Sequence, residues 1–170
     1  MDGENTSLYR EAIHARSLDS AHHPSRSWVK GLQGQIGHSI PEGWRLCGEN
    51  CYAVHSLTYS ELPSYFFLFS IWNEQNVCLS WSETEEWAAL LELQTVPVLY
   101  KGLFSEQQLR KLTDSLDLGT QEGIVVRLAK GFHYEEFGES MAKWVRSGHV
   151  TTDEHWMSKP VFPNGLAEIL

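Results

Sequence analysis

Cysteine is scarce in this chain: Cys47, Cys51 and Cys78 are its only thiols, and none falls in a CxxC pair. Three thiols cannot all be paired, and no fourth ligand stands at a recognisable zinc spacing. A reducing, cytoplasmic setting is therefore expected. Long apolar runs are also missing. The stretch around Tyr65–Trp72 is far shorter than the roughly 20 residues of a membrane-spanning helix, so no membrane partner is expected. The opening Met1-Asp2-Gly3-Glu4 is acidic and leads into no apolar segment, unlike a signal peptide. Positive charge is in deficit, with 13 Lys and Arg against 22 Asp and Glu and a net charge of -9. That excludes a protein that coats nucleic acid by charge alone, and leaves room for a small basic cleft on an acidic body. Repeats and low-complexity tracts are absent, and residues 1–170 read as one domain.

What is present is a globular composition, 42% hydrophobic with seven tryptophans. Helices are expected from a capping box at Ser82–Glu85, followed by Trp87, Leu90 and Leu91 on one face, and from Ser105, followed by Leu109, Leu112 and Leu116. A third opens at Pro24-Ser25, with Val29, Leu32 and Ile36 inward. Strands are expected at Trp44–Gly48, Tyr65–Trp72, Val96–Tyr100, Gly123–Leu128 and Ala142–Arg146, with a hairpin turning at Arg10-Glu11. Helices and strands do not alternate, so the class is α+β, antiparallel sheets flanked by helices. Met1–Asn5 reads like a turn from inside a domain, and a preceding strand is expected to be missing. The tail after Pro160 reads as irregular.

The segment Gln121–Arg127 puts a carboxylate at a strand entrance, glycine beside it and a cation at the far end. That combination suits a metal-bound phosphate, the metal taking oxygen ligands and the phosphate a positive partner. Taken alone, the segment is more often a plain Glu-Gly turn before a core strand. Gly48-Glu49-Asn50 repeats the acid-after-glycine pattern, as a ribose acceptor or as a solvent-facing turn. Tyr65–Trp72 carries rings on both faces, one of which suffices to stack a base while the rest fill a core. Lys143 and Arg146, if extended, project to opposite faces. His22-His23 and the cluster His149, Asp153, Glu154 and His155 match no metal motif, and read as loop histidines.

In order along the chain, these segments resemble the ATP-dependent RNA ligases of the covalent nucleotidyltransferase superfamily, the RNA ligase 2 type in particular. Met1-Asp2-Gly3-Glu4-Asn5 is similar to the residues after the lysine of that family's first motif. His14–Ser17, Gly48–Asn50, Phe67–Ile71, Glu122–Arg127 and Lys143–Arg146 resemble the later ones. The resemblance implies a nucleotidyltransferase domain that joins RNA 5′-phosphate and 3′-hydroxyl ends, or seals a nicked duplex, through lysyl-AMP and RNA-adenylate. ATP and magnesium (or manganese) are the implied cofactors. It assigns Glu49 to ribose, Phe69 or Phe67 to adenine, Glu122 to metal, and Lys143 and Arg16 to phosphate or the RNA end. Asn5 would align the 3′ end, and Asp2 and Gly3 belong to the lysine motif. Arg127 stands where lysine is usual, Val145 fills the place of a second lysine, and Arg146 follows as a further phosphate ligand. The motif lysine itself is expected directly before Met1. Two other readings stand beside this one: a relative that binds nucleotide or RNA without chemistry, and a metal-dependent hydrolase built on His149–His155.

Overall fold

The computed structural model describes residues 1–16, 23–146 and 160–168. Among them, nine strands and four helices make an α+β fold: β1 Glu4–Leu8, β2 Ile13–Ala15, α1 Ser27–Ile36, β3 Arg45–Asn50, β4 Phe66–Trp72, β5 Val77–Cys78, α2 Trp81–Leu90, β6 Gln94–Thr95, α3 Glu106–Asp114, β7 Gly123–Arg127, β8 Phe132–His133, α4 Phe137–Ser140 and β9 Met141–Val145. A seven-stranded sheet runs β2-β1-β3-β4-β5-β8, with β6 joining β4, and β7 and β9 form a separate two-stranded sheet. Every pairing is antiparallel except β4 with β6. Among the described residues, no helix is long and apolar enough to cross a membrane.

Alternation along the strands gives the large sheet two faces. On one, Leu8, Leu46, Phe66, Leu68 and Ile71 are fully buried against Val29 of α1 and Ala88 of α2. Each such side chain contributes about 1.5–3 kcal/mol by leaving water. The other face carries Cys47, Phe69 and Trp72, packed against Cys78, Phe132 and Met141 of β9. The second sheet therefore meets this face through Met141, and the junction between the two sheets is the candidate cleft.

Several elements depart from the sequence expectations. The capping box of α2 is Ser80 with Glu83, two residues earlier than expected, because Trp81 is buried and must start the helix. Leu90 is exposed, off the face shared by Trp87 and Leu91. Val96–Tyr100 is not a strand: the ladder to β4 ends with the Val96 N–H on the Leu68 carbonyl (3.0 Å), and Pro97 has no N–H to extend it. The strand expected at Trp44–Gly48 runs on to Asn50, placing Glu49 inside a sheet and not in a turn. The tail is irregular but docked. Asn164 donates from Nδ2 to the carbonyls of Cys51 (2.8 Å) and Ala53 (3.3 Å), and its Oδ1 accepts from the N–H of Tyr59 (2.8 Å).

Candidate active site

The first strand positions the head of the site. Asp2 is clamped by the loop that follows β3: its Oδ2 accepts from the N–H and Oγ of Ser56 and from the N–H of Leu57, each at 2.7 Å. Its own N–H donates to the Tyr59 hydroxyl at 2.9 Å. Gly3 comes next because nothing larger fits; a Cβ there would lie 2.5 Å from the carbonyl oxygen of Asn50. Its N–H donates to Glu49 Oε1 at 3.0 Å. On the sheet's other face, Glu4 forms a buried ion pair with Arg26, through Nε at 2.7 Å and through Nη2.

Register then lines up the remaining groups. Asn5 pairs with Glu49, and Glu49 with Phe67, so the three stand in one row on the cleft face. Thr6 pairs with Ala15, which puts Arg16 beside Asn5 at the sheet edge. Arg16 and Asn5 are exposed and Glu49 is half-buried. Phe67 is only 3% exposed, packed with Cys51 and Leu62, whereas Phe69 is half-buried and has surface left to offer.

The small sheet supplies the opposing wall. Arg127 donates from Nη1 to the carbonyl of Phe69 (3.0 Å) and from Nη2 to that of Leu79 (2.9 Å), so the face of β7 that carries Arg127 looks onto β4. Val125 lies two residues back on that same face, 56% exposed, and pairs with Lys143 of β9. The Lys143 ammonium stands 3.9 Å from Glu122 Oε1. Gly123 is demanded by the partner strand: a Cβ there would meet the Trp144 carbonyl oxygen at 2.2 Å. Arg146 instead spends its Nη1 on the Leu118 carbonyl at 3.0 Å.

Electrostatics tie the walls together. Burial pushes the Glu49 carboxyl up to about 7, with Glu122 adding to the rise, while the Gly3 N–H and Lys143 oppose it. Tyr59 is likewise raised, chiefly by burial and then by Cys51, and stays a neutral phenol. Glu49 is thus close enough to feel the charges of Glu122 and Lys143.

Sequence reading gave Val125 no role, because its exposure on the Arg127 face shows only in the fold. It also missed Tyr59 and Ser56, which lie in a loop without periodicity and leave no signal. Among the described residues, no group of three or more His, Cys, Asp or Glu side chains could hold a metal. His23 is a capping residue, its ring accepting from the Ser25 N–H, while His22 and the His149–His155 cluster lie outside the described residues. No curated protein matches the chain. The family model for RNA ligase, however, matches residues 1–145, and with motif order and fold in agreement, the chain belongs to the RNA ligase family.

Proposed function

We propose that this domain is an ATP-dependent RNA ligase-type nucleotidyltransferase that binds AMP between its two sheets and acts on RNA 5′-phosphate and 3′-hydroxyl ends, as separate strands or at a nick. The observation that carries this reading is the confrontation of Gly3, Asn5, Glu49 and Phe69 with Val125, Arg127 and Lys143. Phe69 and Val125 cover the two sides of the base, and Glu49 accepts from the ribose hydroxyls. Lys143 leaves Glu122 to meet phosphate, a charge-assisted contact stronger than its 3.9 Å pairing.

The chemistry is three in-line displacements. By the route the family resemblance implies, a motif lysine amine would attack the α-phosphorus, forming P–N and breaking the bond to pyrophosphate. An RNA 5′-phosphate oxygen then displaces the lysine, and a 3′-hydroxyl finally displaces AMP. Lys143, with Arg127 behind it, supplies the fixed positive charge that the pentavalent phosphorus needs. Magnesium typically takes one or two carboxylates plus substrate phosphates. Glu122 would be the single carboxylate offered to such an ion beside the ATP phosphates, and a bound ion would neutralise phosphate charge there. The three buried free cysteines support a reducing, cytoplasmic setting.

The test is label transfer from α-labelled ATP to a protein carrying lysine directly before Met1, with Glu49→Gln and Lys143→Ala as controls. Covalent label on the extended protein, abolished in Lys143→Ala, supports the ligase. No label, together with ATP raising the melting temperature, supports a binding relative without chemistry.

A further inference from the structure

We infer that Tyr9 and His14 form a stacking shelf for one base of the RNA strand, on the cleft face of the β1–β2 hairpin beside Asn5 and Arg16; the inference rests on the ligase reading. The register carries it. Ser7 pairs with His14, and the Tyr9 N–H donates to the Ala12 carbonyl at 2.8 Å, so Tyr9 and His14 are diagonal neighbours across the hairpin. Asn5, Ser7, Tyr9, His14 and Arg16 share one face. Thr6, Leu8 and Ala15, which alternate with them, are buried on the other. The two rings stand 5.0 Å apart, tilted by 37°.

Both imidazole nitrogens are spent locally. Nδ1 lies 3.0 Å from the Ala15 carbonyl oxygen, which can only accept, so Nδ1 carries the proton. Nε2 then accepts from the Tyr9 hydroxyl at 2.7 Å. Burial holds that phenol above its ordinary value, so it keeps the proton it gives. His14 is left with no free polar atom to offer, and with a ring face held at a fixed angle. Both residues are half-buried, and neither belongs to an apolar cluster among the described residues. RNA is recognised largely by stacking unpaired bases on such rings, with cations taking the flanking phosphates. Exposed Arg16 stands two residues from His14 on the same face. The adenylyl-transfer chemistry uses neither ring.

The experiment compares wild type with His14→Ala, His14→Phe and Tyr9→Phe. Fluorescence anisotropy follows binding of a nicked RNA duplex with a 5′-phosphate at the nick, and calorimetry follows ATP. His14→Ala is expected to weaken RNA binding about 10-fold, and His14→Phe to restore it. Tyr9→Phe, which frees the imidazole to rotate, should fall between. Moving one abasic nucleotide along the strand should find a position where wild type and His14→Ala bind alike. The shelf is overturned if His14→Phe is as weak as His14→Ala, if His14→Ala binds like wild type, or if the abasic loss adds to that of His14→Ala at every position. ATP binding without RNA binding by the wild type sinks the shelf alone. Binding of neither sinks the ligase reading with it.

Discussion

The Gly3 N–H donates to Glu49 Oε1 at 3.0 Å, joining the strand that leads from the lysine motif to the carboxylate assigned to ribose. That carboxyl titrates near 7 because it is buried. Its folded-state value is raised above its ordinary one, so the folded state binds the extra proton and stability falls as pH climbs from about 4.5 through 7. A rise of this size is worth on the order of 3 kcal/mol. Glu49→Gln should flatten this part of the profile, its melting temperature changing less than wild type's between pH 5 and pH 8 (about those limits). Parallel curves for the two proteins would reject the assignment.

The Glu4–Arg26 pair is buried on both sides, with side-chain exposures of 9% and 5%. Glu4→Gln leaves an arginine charge in the interior, and should cost about 3–5 kcal/mol. In a domain of this size that is about 10 °C of melting temperature. Chemical denaturation should show the same loss as a lower midpoint with an unchanged slope.

Arg127 holds the second sheet to the first through the carbonyls of Phe69 and Leu79. Arg127→Lys keeps the charge but cannot fork to both oxygens. Calorimetric ATP affinity should drop by about 10-fold, and Arg127→Ala should lose more. Unchanged affinity in both would mean that the wall closes without this residue.

Ser80 is a control outside the cleft. Removing its cap by Ser80→Ala should lower stability by about 1 kcal/mol and leave ATP and RNA binding untouched.

Much of this was legible in the sequence. The hairpin at Arg10-Glu11, the helix capped by Ser105 and the order of chemistry-bearing segments all arise from local pattern, because turn chemistry and apolar spacing act over a few residues. Local pattern failed where two solutions were locally equal. Ser80-x-x-Glu83 and Ser82-x-x-Glu85 both satisfy a capping box, and only the burial of Trp81 chooses between them. Gly48-Glu49 suits a turn or a strand until β1 and β4 pair on either side. Of the rings in β4, only register and packing single out Phe69 as the one with surface left for a base. The clamp on Asp2 was invisible, since Ser56 and Tyr59 meet it from more than 50 positions away.

Asn164 reaches back to the loop bearing Tyr59, whose hydroxyl in turn receives the Asp2 N–H. The seat of Asp2 is therefore braced by a residue more than a hundred positions further along the chain. A change at Asn164 would loosen the loop bearing Tyr59 and leave Asp2 hanging on Ser56 and Leu57, while β1 keeps its ladder to β3.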